Sequence, residues 1–292
     1  MIDLHIHTNA SADAQHSPAE IFEMARELGV KCLAFADHNV IAAVPAGYVL
    51  QRETGIEFIS GIELNTTLEG LDLHLLGYGF DPADLHVQKW MKEIEDAQKL
   101  LAAERVGRFV ALGLELTLAE VLAEAAGRPP TGSVFFDVLI RREVNQRHPL
   151  LRPYLSGPRA EDRYVKFYFE VMANGGPADA GAGSMPIASA IERLLEIHAV
   201  PVIAHPRDLN EQHMDRLVDC GLLGIEAICS YHDQTTTRYW CEQARRRKLL
   251  VTAGSDFHGR QTKATVRLAG ITGNEYALVV KLREAIDGLA RR

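Results

Sequence analysis

Paired cysteines, a long apolar run and an excess of positive charge are all missing from this 292-residue chain. Its four cysteines, Cys32, Cys220, Cys229 and Cys241, show no CxxC spacing, which argues against a thiolate zinc site or a small disulfide framework and predicts reduced thiols. No apolar stretch reaches the ~18 uncharged residues that a membrane span needs. The N-terminus opens on Met1-Ile2-Asp3-Leu4 without a basic region and apolar run, so no signal peptide and a cytoplasmic setting are expected. A formal charge of -8 argues against broad binding of nucleic acid or anionic membranes. A small anionic substrate remains compatible, because bound divalent cations dominate the field of a site. With 47% apolar residues the chain can bury a sizeable core, as one large barrel or two ordinary domains.

Histidine is where the sequence is rich. Six of its twelve histidines fall in short segments that read as strand ends: His5 and His7 in Asp3-Leu4-His5-Ile6-His7, then His38, His74, His205 and His258. Carboxylates accompany them, with Glu63 closing Gly61-Ile62-Glu63 and Asp256 in Gly254-Ser255-Asp256-Phe257-His258. His5 and His7 stand at i and i+2, so on a strand both point to one face and can grip one ion, and Asp256 and His258 repeat that spacing. Adding Asp13 gives nine candidate ligands of the nitrogen and oxygen types that suit zinc, manganese or iron. Nine exceed one ion's capacity, so two or three ions sharing a carboxylate are expected, with positions open to water and substrate.

The ligand segments punctuate an alternation of strands and helices. Ser17-Pro18-Ala19-Glu20 is an N-cap, a proline at the first helical position and an early acid, and it opens a helix to about Leu28. Strands follow at Cys32 to Ala36, at Ile56 to Glu63 and at Leu71 to Tyr78. This α/β pattern predicts a parallel barrel with its site at the C-terminal face. From about Val87 a long helix and other helical segments take over, and alternation resumes at Ile187. The division expected is a first barrel part over 1–103, a mostly helical insertion over 104–186 and a second barrel part over 187–292. The run from Asn174 to Gly183 is rich in Gly, Ala and Pro and reads as a loop.

In combination these segments resemble the polymerase and histidinol phosphatase (PHP) family of metal-dependent phosphoesterases, which is similar to the amidohydrolase barrels. The match runs from Met1 to about Asp81 and from about Pro201 to His258. The resemblance implies a distorted (β/α)7 barrel with a helical insertion capping the site. It implies one ion on His5, His7 and Asp256, a bridging Glu63, a second ion completed by His74 and His205, and a third on Asp13, His38 and His258. Family members place the first acid directly after a serine. Here Ser11-Ala12-Asp13-Ala14 carries an extra residue, Ser17-Pro18 is displaced equally, and His16 competes as a ligand. Asp37 would orient a ligand rather than bind an ion.

The same resemblance implies attack on phosphorus by a metal-activated hydroxide, with Arg207 on the phosphoryl oxygens and His205 or His232 protonating the leaving oxygen. An Arg-x-His element that touches phosphate in relatives has its counterpart in Gly127-Arg128-Pro129-Pro130, with Pro130 where the histidine would stand. The expected substrate is a small phosphate monoester or cyclic phosphodiester, nucleotides included, rather than polymeric nucleic acid. A C–N hydrolase and a metal-binding module without catalysis are the alternative readings. No segment encodes the oligomeric state.

Overall fold

The computed structural model describes residues 1–173, 175–180, 185–207 and 209–291. Of the loop expected over Asn174 to Gly183, Asn174, Gly181, Ala182 and Gly183 lie outside the described residues. The apolar segments form β1 (Ile2–Ile6), β2 (Cys32–Phe35), β3 (Glu57–Leu68), β4 (Leu71–Tyr78), β5 (Met185–Pro186), β6 (Val200–Ile203), β7 (Gly224–Cys229) and β8 (Leu250–Gly254). Between and after them run α1 (Pro18–Glu27), α2 (Val44–Thr54), α3 (Leu85–Ala111), α4 (Leu118–Ala125), α5 (Gly132–Ile140), α6 (Glu143–Gln146), α7 (Arg152–Leu155), α8 (Arg163–Phe167), α9 (Ile187–Glu196), α10 (Glu211–Asp219), α11 (Gln234–Arg247) and α12 (Ala277–Ala290). The start of α1 is the capping box read in the sequence, with Ser17 accepting from the Glu20 amide and Glu20 returning to the Ser17 amide.

Seven strands follow the order β1-β2-β3-β4-β6-β7-β8, with β5 paired only to β3. The ends of β1 and β8 meet, since the Asp256 amide donates to the His5 carbonyl at 2.8 Å and the His7 amide to the Phe257 carbonyl at 2.9 Å. The result is a nearly closed seven-stranded barrel. One expectation is corrected: the barrel is not wholly parallel, because β4 runs antiparallel to both β3 and β6. The cause is local. Leu68 pairs with Leu71 across Glu69 and Gly70, whose φ values of 53° and 85° make a two-residue turn, far too short for a parallel crossover. His74 therefore reaches the C-terminal face from the early part of a returning strand, opposite Asn65.

Both faces of the strands are covered. Leu33 and Phe35 of β2 pack with Phe22 and Phe58 in one cluster, while the alternate residues Cys32 and Ala34 join Ile59, Val279 and Leu282 in another. A further cluster of buried apolar residues runs from Ala102 to Ala178 and centres on Phe109, Phe135, Phe136 and Phe167. The 27-residue α3 belongs to both bodies, since Val87, Trp90 and Ile94 enter the barrel core while Phe109 enters the helical one. No helix among the described residues is long and apolar enough to cross a membrane.

The four thiols differ sharply in environment. Burial pushes the Cys32 thiol up to about 12 and raises that of Cys229 further, while Cys220 is exposed. An aromatic disulfide reagent at neutral pH is expected to modify Cys220 rapidly and to reach Cys32 and Cys229 only on unfolding. Rapid modification of Cys32 in the native protein would contradict the packing described.

Candidate metal centre

The candidate ligands other than Asp13 converge because each lies within or just after a strand on one barrel face. His5 lies in β1 and His7 just beyond it; His38 follows β2, Glu63 is inside β3, His74 is in β4, His205 follows β6, and Asp256 and His258 follow β8. Gly254 makes the approach of β8 to β1 possible, because a Cβ there would meet the His5 Cβ at 2.2 Å and Glu226 Oε1 at 2.4 Å. His205 and Asp256 adopt left-handed φ values of 26° and 59°, a strained backbone of the kind that clusters at functional sites. The His205 amide is held there by Glu226 Oε2 at 2.9 Å.

Glu63 sits at the middle. Its Oε1 lies 2.9 Å from His74 Nδ1, 3.1 Å from His205 Nε2 and 3.3 Å from His5 Nε2. Its Oε2 lies 3.0 Å from His38 Nδ1 and 3.2 Å from His7 Nε2. Asp256 Oδ1 is 3.2 Å from His7 Nε2 and 3.6 Å from His5 Nε2. Asp13 Oδ2 stands 3.7 Å from His38 Nε2 and 3.9 Å from His258 Nε2. Separations of about 3.0–3.4 Å are those of neighbouring ligands around one ion with bonds near 2.1 Å. Three carboxylate oxygens, Glu63 Oε2, Asp256 Oδ1 and Asp13 Oδ1, are buried without a hydrogen bond. Unpaired buried anionic oxygens are costly, and cations among them remove that cost. The donor set therefore fits divalent ions.

Electrostatics point the same way. Burial disfavours the Glu63 carboxylate, yet His74, His5 and His38 outweigh it and hold its pKa well below the usual range. Asp256 is likewise held ionised against burial by Lys263, His5 and His258. Burial opposes protonation of His5 and His38, but Glu226 and Glu63 keep the first well above its ordinary value, and Glu63 and Asp13 bring the second to about 9. Burial lowers His205, and burial with His7 lowers His258 further.

A PHP domain model matches residues 3–125. A 5'-3' exoribonuclease of Haemophilus influenzae is 30% identical over 262 residues, which span 88% of this chain and 89% of that protein. The chain belongs to the PHP family. Phosphoribosyl 1,2-cyclic phosphate 1,2-diphosphodiesterase of Eggerthella lenta is 27% identical over 261 residues, covering 88% of this chain and 94% of the relative. Among solved structures, an amidohydrolase of Chromobacterium violaceum superposes with a TM-score of 0.78 at 19% identity, over 97% of this chain and 96% of that one, a likeness of fold. With its family this chain is a hydrolase of phosphate esters.

Against this PHP background, most of the sequence-read residues gather and some do not. Asp13, His38, His74, His205, Arg207, Asp256 and His258 line one pocket, with His5, His7 and Glu63 fully buried behind it. His16 instead stacks on Phe257, ring centroids 5.6 Å apart. His232, read as substrate-facing, is corrected: its Nδ1 lies 3.0 Å from the Ala227 carbonyl and its Nε2 3.0 Å from that of Pro206, so both nitrogens are occupied by backbone. The adjacent Tyr231 takes the pocket wall, donating to Asp256 Oδ2 at 2.6 Å. Arg128 donates to the Ala125 and Asn9 carbonyls, and Pro130, not Arg128, lines the pocket.

Of the residues that hold the ligands, sequence reading named Asp37 and passed over Glu226 and Asp3. Glu226 is fully buried, lies 3.0 Å from His5 Nδ1 and completes a possible ligand group with His5 and His205. Asp3 accepts from the Ser255 amide at 2.8 Å, the Ser255 hydroxyl at 2.6 Å and the Ala269 amide at 2.7 Å, tying β1 to the segment that carries Asp256. Asp37 acts through Ser11, whose hydroxyl donates to it at 2.8 Å and lies 3.0 Å from the His38 amide and 3.3 Å from His7 Nδ1. Only a charged residue inside an apolar strand, as in Gly224-Ile225-Glu226-Ala227, offered a signal for Glu226.

Proposed function

We propose that the protein hydrolyses a small phosphate monoester or cyclic phosphodiester, nucleotides among them, using two to three divalent ions. His5, His7 and Asp256 would hold one, Glu63 would bridge, His74 and His205 would complete the second, and Asp13, His38 and His258 would hold the third. The observation that carries this reading is the set of three carboxylates, Glu63, Asp256 and Asp13, each with one buried oxygen lacking a hydrogen bond and each within 3.7 Å of an imidazole nitrogen. Manganese, zinc or iron bound there polarises a phosphoryl oxygen and lowers the pKa of water enough to supply a nucleophile near neutrality.

The chain's own groups do the rest. Arg207 lies with its guanidinium 4.2 Å from the Tyr231 ring centroid and offers a planar fork to the phosphoryl oxygens. Burial keeps His205 neutral, which suits a nitrogen ligand better than a proton donor. Residues 104–186 form an inserted unit over the pocket mouth in this reading, since Pro130 to Ser133 and Tyr164, Val165, Tyr168 and Phe169 contribute to its wall. The exoribonuclease relative supports a second reading in which the ester is the end of a short RNA. The charge of -8 weighs against a long polyanion.

Manganese-reconstituted protein should carry two to three ions by elemental analysis and turn over p-nitrophenyl phosphate until a chelator is added. A reproducible content of one ion or less would sink the constellation. A panel with small phosphorylated metabolites, 5'-phosphorylated RNA oligomers and long DNA separates the two substrate readings, and metabolites are expected to be turned over best. Asp13→Ala should lose one ion and most turnover, whereas His16→Ala should lose neither. Exchange of those two results would reassign the third position to His16.

A further inference from the structure

Among the described residues that line the pocket, three are arginine or lysine: Arg105, Arg207 and Lys263. The Lys263 ammonium touches a candidate ligand, pairing with Asp256 Oδ2. It is no loose surface chain. The turn after His258 is pinned to the loop that carries Asp13: the Gln261 amide donates to Gln15 Oε1 at 2.9 Å, the Thr262 hydroxyl to the Asp13 carbonyl, and the Gln15 amide to the His258 carbonyl at 3.1 Å. Gly259, at a φ of 89°, lets that turn form, and a Cβ there would strike Gln15 Oε1. The Lys263 amide then closes on the Gly259 carbonyl at 3.2 Å, which leaves the side chain 16% exposed at the pocket wall.

Asp256 divides its oxygens accordingly. Oδ2 accepts from the Tyr231 hydroxyl at 2.6 Å and from Lys263, whereas Oδ1 is buried without a hydrogen bond and stands 3.2 Å from His7 Nε2. The lysine therefore need not compete with an ion for the oxygen among the imidazoles. An ammonium has three protons, and with one on Asp256 two remain for the pocket. Lys263 and Arg207, from the turns after β8 and β6, share the Tyr231 ring, with Nζ 5.5 Å and the guanidinium carbon 4.2 Å from its centroid. Two divalent ions already balance the charges of Glu63, Asp256, Asp13 and Glu226, so these further cations are repelled unless an anion joins the site.

We infer that Lys263 is a substrate-binding residue, forming with Arg207 a two-cation clamp on the phosphoryl oxygens. The inference rests on the proposed function and deepens it by naming a phosphate contact that sequence spacing did not single out.

Inorganic phosphate, the product common to all monoesters, is the probe. Calorimetric titration of the manganese-loaded full chain, freed of excess metal, should show saturable phosphate binding. Lys263→Met keeps the length of the side chain without its charge and should weaken phosphate about ten- to a hundredfold, as loss of a charge-assisted hydrogen bond does. Lys263→Arg keeps a cation and should recover most of that loss. Elemental analysis should find the parent's ion content in both variants, with thermal melting as the control for folding. Absence of saturable binding to the parent, or unchanged phosphate affinity in Lys263→Met, would overturn the inference. Loss of an ion in Lys263→Met would overturn it too, by making the lysine a support for Asp256. Phosphate binding that depends on Lys263 in a protein inert toward p-nitrophenyl phosphate would sustain the clamp and count against the proposed function instead.

Discussion

Replacing Glu63 by glutamine is expected to cut phosphoesterase turnover by about three orders of magnitude or more and to lower the number of bound ions, while the chain stays folded. Five imidazoles depend on this one carboxylate: Oε1 faces His74, His205 and His5, and Oε2 faces His38 and His7, all within 3.3 Å. The amide keeps the volume and removes the charge. It also substitutes a donor for one acceptor, and that NH2 would face nitrogens or cations. Elemental analysis and steady-state kinetics on manganese-loaded protein make the test, with thermal melting as the control for folding. Turnover within tenfold of the parent, or an unchanged ion content, would show that Glu63 is not the bridge.

The ligands were legible from sequence because their geometry is local. The i and i+2 spacing brought His5 with His7 and Asp256 with His258 into view, and the capping box at Ser17 fixes α1 independently of the rest. The direction of β4 was not legible, since Glu69-Gly70 lacks the strong Asn-Gly or Asp-Gly hairpin signal and the strand extension from Leu64 to Leu68 carries polar residues. Nor were two of the partners of the ligands, Asp3 and Glu226. Asp3 meets Ser255, and His5 meets Glu226, only because the barrel brings β1 beside β8 and β7, and sequence spacing carries no trace of contacts more than two hundred residues apart. His232 misled for a related reason: its fate is set by the Pro206 carbonyl, which belongs to a different strand end.

The helical unit shows the same division between local and long-range information. Its helices were readable as helices, but their function as a pocket wall depends on docking against β4, where Tyr168 reaches Asp72. That contact joins the aromatic wall to the strand that presents His74.

Substituting Glu226 tests whether the buried surroundings of the ligands matter as much as the ligands. Its Oε1 lies 3.0 Å from His5 Nδ1, which directs His5 Nε2 toward Glu63 and Asp256. Burial opposes a charged His5, but Glu226 is the foremost cause holding its pKa well above the ordinary value, and His38 is brought to about 9 by Glu63 and Asp13 against the same burial. Both imidazoles are thus shifted toward the protonated form in the metal-free protein. A divalent ion must displace those protons, so apparent metal affinity should rise from pH 6 toward about 9 as they leave, with protons released on loading. Glu226→Ala is expected to weaken metal affinity about ten- to a hundredfold, the usual cost of losing a partner that orients a ligating histidine. Glu226→Gln keeps an acceptor for Nδ1 but loses the charge, so His5 should hold its proton less tightly and release on loading near neutrality should fall by up to about one proton. Titration calorimetry in buffers of different ionisation enthalpy reads both quantities. Loss of a whole ion in Glu226→Gln would make Glu226 a ligand alongside His5 and His205, and unchanged affinity with unchanged proton release would remove it from the centre altogether.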